Sequence, residues 1–370
     1  MSARRINVLQ LIGHLGRGGD TTAVLNAISG YDDSVNVDFI THDKAVPSCV
    51  ERLQAEGHKI AFLEGDVRKL KLCYASAFRR AVEGLGVKYD VLHTHTSLQS
   101  GIALGVAKRM GIPKRICHSH VGAIQRRPTG FQRALLEEPL RKECIRNATD
   151  LAACSKVAGD FLFGARPYKL IYNGVDEASI SLEAAKSAGV VRAELGCGED
   201  TILVGQVARF SPMKNQAFTL ALAKAFADDS RYKFVLVGDG VDFEPLKQMT
   251  HEAGLSNVRF TGRRGDVPAV MGALDCLLLP SLPGEGLPMI VLEAVAAGTP
   301  CMISNNVTDE LCMLGQSFVK RLPLDVNLWR RGIAAFGRKR DNAAEEGCGA
   351  LIRNGLNLDS FRSQWANLYR

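Results

Sequence analysis

Short apolar runs alternate with longer helix-patterned intervals along this chain, and the alternation starts twice. In the first half the runs at 6–12, 35–41, 59–62, 91–94, 114–118 and 150–153 read as strands, with helical patterns filling the intervals. The second half restarts the rhythm at 201–207, 233–237, 258–260, 276–280 and 300–303. A strand followed by a helix, repeated, is the pattern of βα units, because parallel strands need a long crossover to return to the same sheet edge. Two starts therefore imply two parallel-sheet α/β domains. The 370 residues also exceed the roughly 100–200 of one typical domain.

The join falls after the run Tyr172, Asn173, Gly174, Val175, Asp176, where residues small and polar in character precede a fresh strand. We expect an N-terminal Rossmann-like domain over 1–172, a linker with helical content over 173–199, and a C-terminal Rossmann-like domain over 200–354. Beyond about residue 320 the apolar pattern is helical to the end. It closes with Phe361, Trp365, Leu368 and Tyr369 on one face, and this last helix, about 355–370, is expected to pack back on the N-terminal domain.

Composition narrows the class. At 46% hydrophobic and 23% charged, the chain is an ordinary globular one, and a net charge of +7 from 46 bases and 39 acids favours anionic partners only mildly. Nothing supports nucleic acid. The ten cysteines include no Cys-x-x-Cys pair, and Cys117, Cys154, Cys276 and Cys301 lie in apolar runs, so they read as reduced core thiols. The start, Met-Ser-Ala-Arg-Arg, moves straight into a strand, and no run reaches the 18 or so apolar residues of a membrane span. A cytoplasmic location is expected.

Residues 280–300 carry the most chemistry. They set two carboxylates, Glu285 and Glu293, around a turn that opens a helix. Gly284 and Gly286 let the backbone approach a ligand, Pro288 suits a first helical position, and the helix N-terminus offers unpaired N–H groups to an anion. Glu285 is placed in the turn and Glu293 two turns into the helix. Amides for a phosphate and acids for hydroxyls suit a phosphorylated sugar.

In the same half, Arg209 and Lys214 follow the strand 201–207, at the edge where open α/β sheets bind ligands. Arg supplies a planar fork and Lys a point charge, a combination fit for a diphosphate leaving group, though either alone is also an ordinary surface charge. The first strand ends in Gly13, Gly16, Gly18 and Gly19, before a helical pattern from Ala23. Such a turn brings backbone amides close to a phosphate. It lacks the G-x-G-x-x-G register, since Thr21 stands where the third glycine belongs, so a plain tight turn is the alternative.

His93 and His95, like His118 and His120, stand two apart and so share a strand face. Zinc is one reading of four histidines; hydrogen bonding in a cleft is the other, preferred because no cysteine or carboxylate ligand pair lies near. His118 is the histidine assigned to the site, and no metal is expected. Between 125 and 146 the cations Arg126, Arg127, Arg133, Arg141, Lys142 and Arg146 interleave with apolar residues. That stretch suits an anionic lipid surface or, with Glu137, Glu138 and Glu143 among it, a solvated helix face.

Taken in order and spacing, Gly18-Gly19, the run 172–176, Arg209 with Lys214, the run 235–240, Phe260-Thr261-Gly262, and Glu285 with Glu293 carry a resemblance across most of the chain. The chain resembles a retaining glycosyltransferase of family 4 with the GT-B architecture, two Rossmann-like domains whose parallel sheets face across a cleft. The resemblance implies a nucleotide-diphosphate-sugar donor in that cleft, and no separate cofactor. It implies that Glu293 bonds the ribose, Arg209 and Lys214 the diphosphate, and Gly19 lends its amide. Glu285 with the Gly286 and Leu287 amides would hold the sugar, His118 would contact a sugar hydroxyl near the reacting carbon, and Gly262 and Arg263 would frame the base. Cleft closure would exclude water as a competing acceptor.

The nearer resemblance, in residues 18–26, 95–101 and 115–120, is to bacterial exopolysaccharide and capsule glycosyltransferases. Those often use lipid-linked acceptors at the inner membrane face, which would give the basic stretch a use. Many relatives carry an acidic residue and then a glutamate after the Gly-Gly; here Asp20 is followed by Thr21. A hydrolase or epimerase on the same fold, and a non-catalytic nucleotide-sugar sensor, are the competing readings. A nicotinamide dehydrogenase ranks below both, because G-x-G-x-x-G follows neither domain's first strand.

Overall fold

A computed structural model of the chain describes residues 5–16, 18–32, 34–42, 46–63, 71–122, 130–338 and 340–370. The first sheet contains β1 (Ile6–Ile12), β2 (Val35–Thr41), β3 (Ile60–Phe62), β4 (Val91–Thr94), β5 (Lys114–Ser119), β6 (Asp150–Ala153) and β7 (Lys169–Leu170). Its order is β3-β2-β1-β4-β5-β6-β7, and each pairing is parallel. The second sheet contains β8 (Ile202–Val207), β9 (Tyr232–Val237), β10 (Val258–Gly262), β11 (Cys276–Leu279), β12 (Cys301–Ser304) and β13 (Val319–Leu322). Its order is β10-β9-β8-β11-β12-β13, again parallel throughout.

The chain divides into two compact units, one of residues 1–173 with 361–370, the other of 174–360. Each sheet is doubly wound: strand order grows one way from its first strand, then jumps back across it, at β1/β4 in one unit and β8/β11 in the other. At such a reversal the crossovers diverge to opposite faces and leave a crevice beyond the strands' carboxyl ends. Central strands are buried on both faces, so they read as unbroken apolar runs; β11, Cys-Leu-Leu-Leu, is buried at each position.

Two strands fall outside the expected set, β7 and β13. Both lie at a sheet edge, and β13 reads Val-Lys-Arg-Leu with only Val319 buried, so neither offers an apolar run. The stretch 173–199 carries an 18-residue helix, Glu177–Glu194, capped by the Asp176 side chain on the Ser179 N–H. It packs against the helix Val267–Ala273 so closely that a Cβ on Gly272 would lie 2.8 Å from the Ala184 carbonyl oxygen. The helix after β1 is Gly19–Ile28, starting four residues before the expected Ala23, with the Thr22 N–H donating to the Gly18 carbonyl at 3.1 Å.

Candidate active site

In the second unit the candidate residues collect at the carboxyl ends of β8, β9, β10 and β11, around its switch point. The segment after β8 is tied to the turn after β9: the Ala208 N–H donates to the Val237 carbonyl and the Phe210 N–H to Asp239, at 3.0 and 2.7 Å. This close approach requires Gly238 and Gly240, at φ +136 and +147, where a Cβ would lie 2.0 Å from the Ala208 oxygen and 2.1 Å from the Phe210 oxygen. Phe210 turns into an aromatic cluster with Phe243 and Phe260, which leaves Arg209 exposed. Among the described residues the Arg209 guanidinium makes no ion pair.

Lys214 ends the short 3-10 turn Pro212–Lys214, followed by Asn215 in the left-handed region at φ 52. That conformation is held by the Asn215 amide, which donates to the Pro280 carbonyl at 3.1 Å and so joins the β8 turn to the β11 turn. Gln206 locks the same loop, donating to the Lys214 carbonyl at 2.7 Å and accepting from the Thr219 hydroxyl at 2.6 Å. The result aims the Lys214 ammonium at Glu285 in a direct ion pair. The Ser281 hydroxyl donates to the same oxygen, Oε1, at 2.8 Å, and leaves Oε2 with no partner among the described residues. Glu285 is buried, and these two donors are the partners of its Oε1.

The helix that follows is Met289–Ala296. Two expectations are corrected here. Pro288 is the N-cap with an extended ψ of 114, rather than the first helical residue, and no side chain caps the end. Glu293 is the fifth residue of the helix and stands little more than one turn in. Half-buried, with no hydrogen bond or ion pair among the described residues, its carboxyl is pushed up to about 7 by desolvation. Gly286 and Leu287 are buried in the turn beside it. Gly262 ends β10 at φ 72 and accepts from the Gly238 N–H at 2.9 Å, so it joins the same set of turns; Arg263 after it is exposed.

In the first unit Gly19 is the exposed first residue of its helix, after β1. His93 on β4 and His118 on β5 are fully buried, and the second histidine of each pair, His95 and His120, stands one residue past its strand's end. His93 Nε2 meets His118 Nδ1 at 3.1 Å, and His95 Nδ1 meets His120 Nε2 at 2.9 Å. His93 Nδ1 also meets the Tyr369 hydroxyl at 3.0 Å, while His95 Nε2 meets Gln10 Oε1 at 2.9 Å. Ring nitrogens of His93, His95 and His118 lie within 4.8 Å of one another, the arrangement of a possible metal triad. A cation there would have to displace hydrogen bonds that occupy both ring nitrogens of His93 and of His95, whereas His118 has only its Nδ1 so engaged among the described residues. Burial depresses all four imidazoles, His120 to about 4 and the others well below their usual value, so the cluster is neutral at physiological pH.

Of the basic stretch, Arg126 and Arg127 and the side chain of Arg133 lie outside the described residues. Arg141 turns inward on the helix Gly130–Asn147, pairing with Glu138 at 3.4 Å and covering the Phe161 ring; Lys142 and Arg146 are exposed. Among the described residues no helix is long and apolar enough to cross a membrane. The supporting residues Gln10, Gln206, Thr219, Asn215, Ser281, Trp365 and Tyr369 escaped the sequence reading as site residues. Single polar residues carry no motif, and only Trp365 and Tyr369 showed a pattern, that of an apolar face.

A doubly wound, two-unit α/β chain with carboxylates and cations at its second switch point belongs to a known class. The family model of glycosyl transferases group 1 matches residues 190–310, and that of the glycosyl transferase 4-like domain matches 18–174. EpsF of Bacillus subtilis, named as a glycosyltransferase, is 31% identical over 94% of this chain and 92% of its own length. The chain belongs to the GT-B glycosyltransferases of family 4, and it is an enzyme of that class. It is also similar to the Escherichia coli UDP-Gal:alpha-D-GlcNAc-diphosphoundecaprenol alpha-1,3-galactosyltransferase, 29% identical over 76% of this chain and 75% of that protein. Among solved structures, Anabaena HepE in complex with UDP and glucose shares the fold, with a TM-score of 0.76 at 20% identity over 98% of this chain and 99% of that one.

Proposed function

We propose that the chain moves a sugar from a nucleotide-diphosphate-sugar donor to a hydroxyl of a glycan or lipid-linked intermediate in cell-surface polysaccharide synthesis, with retention at the anomeric carbon. The observation that carries this reading is the pairing of an exposed, unneutralised Arg209 with a buried Lys214–Glu285 pair at one switch point. Developing negative charge on a departing diphosphate is stabilised by preformed cations, which gain most when the site is dry. Arg209 and Lys214 fill that role without a metal. Glu293 bonds the ribose, Gly262 and Arg263 frame the base, and Glu285 through Oε2, with the Gly286 and Leu287 amides, holds the sugar. From the first unit, Gly19 lends its amide and His118 meets a sugar hydroxyl. The names of the relatives support the reading, since one of them is a UDP-galactose enzyme whose acceptor is a diphosphoundecaprenol. By extension the protein works in the cytoplasm at the inner membrane face, with Lys142 and Arg146 toward anionic lipid.

Thermal shift against a panel of UDP-, GDP- and ADP-sugars tests the donor, because a ligand that binds only the folded state raises stability by about 2.7 kcal/mol at 100 times its Kd. Arg209→Ala is the cleaner probe of chemistry, since the side chain is exposed and makes no ion pair among the described residues: turnover should fall about a hundredfold with the melting temperature unchanged. Turnover that survives this change sinks the leaving-group assignment. Rapid release of free sugar with no acceptor present would instead point to a hydrolase.

A further inference from the structure

The second unit carries a cavity that none of the candidate catalytic residues enters. It has a volume of about 210 Å³ and lies at the amino ends of β12 and β13, whereas the candidate active site lies beyond carboxyl ends. Its walls are the turn 298–300 before β12, the turn 316–318 before β13, Lys320, the end of the helix Val326–Phe336, and the loop that leads into the helix Ala343–Arg353. Gly298 makes this arrangement possible: at φ +76, a Cβ on it would lie 2.4 Å from the Ala344 nitrogen. The turn and the helix start therefore meet without a side chain between them.

Three cations line the cavity, Lys320, Arg338 and Arg340, and among the described residues no carboxylate does. The Lys320 ammonium stands 4.1 Å from the centroid of the Phe336 ring and makes no ion pair among the described residues. A ring face orients an ammonium but leaves its charge uncancelled. Arg338 is held in a similar way, donating through Nη1 to the Glu199 carbonyl, a neutral acceptor, and it too makes no ion pair among the described residues. Only Arg340 has a carboxylate, Glu346 at 2.7 Å; Asp341 and Glu345 are exposed and stay off the walls. One ion pair among three cations leaves two positive charges uncompensated around a recess, where low-dielectric walls focus their field. Exposed Gln316 and Ser317 add neutral donors at the rim, and Pro300, Phe318 and Phe336 supply apolar surface.

We infer that this cavity binds a phosphate group carried on a small organic body. A phosphate dianion matches the two uncompensated charges, and guanidinium forks engage its oxygens in pairs. The Ser317 hydroxyl and the Gln316 amide can donate to the remaining oxygens, while the apolar walls take the organic part. The volume is below the roughly 300–1,000 Å³ of pockets for drug-sized ligands, so the ligand is a small phosphomonoester or the headgroup of a phospholipid. The site is separate from the candidate active site. The helix Met289–Ala296 runs from the Glu285 turn to Gly298, and β12 runs from Pro300 back to Ser304, whose hydroxyl donates to the Ser281 carbonyl at 2.5 Å, so an element's length lies between the two. The inference therefore does not depend on the transferase reading.

The full chain is titrated with glycerol 3-phosphate by calorimetry and pelleted with phosphatidylcholine vesicles that contain or lack phosphatidic acid. If the ligand is a free phosphomonoester, glycerol 3-phosphate binds, glycerol does not, and Arg338→Gln and Lys320→Met each weaken binding roughly tenfold by removing a charge-assisted contact. Arg209→Ala should leave this affinity unchanged; loss in Arg209→Ala with the cavity variants unaffected would put the probe at the catalytic turns and overturn the site. Ser317→Trp fills the mouth while keeping every cation, so binding should be lost. Wild-type affinity in folded Ser317→Trp would mean that the phosphate meets only surface charge, which also overturns the cavity. If the ligand is a headgroup, the free probe fails, phosphatidic acid recruits the wild-type chain, and both Ser317→Trp and Arg338→Gln abolish recruitment. Ser317 and Arg338 are exposed, so both variants should melt with the wild type. Failure of the free probe together with absent recruitment, or recruitment that survives both changes, overturns the inference.

Discussion

Glu293 shows what a single side chain can report. Its carboxyl titrates near 7 in the fold against 4.5 for the free group, because burial penalises the anion and no cation compensates. An acid whose folded pKa is raised is bound to its proton more firmly in the native state, so stability is full below about pH 4.5. It is lost progressively as pH rises through 7. Glu293→Gln should therefore match the wild type at pH 4 and exceed it at pH 8 by about 3 kcal/mol, as read from urea melts. Ribose hydroxyls donating to the carboxylate would favour the anion, so donor binding should release about half a proton at pH 7 and close to one at pH 6, measurable by calorimetry in buffers of different ionisation enthalpy. Binding with no proton release would mean that the nucleotide does not reach Glu293. Lys214 and Glu285 depend on each other in a different way. Lys214→Met strands a buried carboxylate and should cost about 3 kcal/mol, while the double change with Glu285→Gln should recover most of it. These acids and cations were legible in the sequence because a carboxylate in a glycine turn is chemically conspicuous. Ser281 and Gln206, which orient them, were not: a lone serine or glutamine has no pattern until the fold brings its partner near.

Among the elements, the turns after β8 and β9 are a single construction. Phe210 and Gly240 form an isolated parallel bridge beyond the sheet, and the Phe210 side chain is anchored in the aromatic cluster. Arg209 is aimed from the short span between the Ala208 and Phe210 hydrogen bonds to the β9 turn. Gly240→Ala forces a Cβ into the Phe210 carbonyl at 2.1 Å and a disfavoured φ, a clash that only movement of this span relieves. We expect a stability loss of about 3 kcal/mol together with a fall in turnover like that of Arg209→Ala. Retained turnover in the folded variant would show that Arg209 is not held by this turn. The βα rhythm was readable for the same reason that such turns work: strands buried on both faces must be continuously apolar, and glycine must mark the places where backbones touch. Where burial stops, legibility stops. β13 is buried only at Val319 and carries Lys320 and Arg321 in its middle, and β7 is two residues long at an edge. The geometry of helix starts was hidden likewise, since Pro288 suits an N-cap as well as a first turn.

At the scale of the molecule, the last ten residues return to the unit in which the chain began. Phe361, Trp365, Leu368 and Tyr369 are buried there, with Tyr369 bonded to Gln10 across 359 positions of sequence. Arg362 reinforces the return, donating from Nε to the Asn26 carbonyl at 3.1 Å and from its guanidinium to the Ser29 hydroxyl at 2.6 Å. The aromatic face was visible as a helical stripe, but the histidines it covers lie so far off in sequence that no local pattern connects them. Burial of four large side chains stabilises by about 2 kcal/mol each, a sum near the 5–15 kcal/mol that holds a typical domain folded. Truncation after Ser360 should thus unfold the unit it does not adjoin in sequence. Hydrogen exchange with mass spectrometry reads this directly: amide protection in β1, β4 and β5 should collapse, while β8, β9 and β11 keep theirs. If the truncation instead exposed β8 to β11 first, the C-terminal segment would owe its burial to the second unit, and the buried histidines would lack the support of Tyr369.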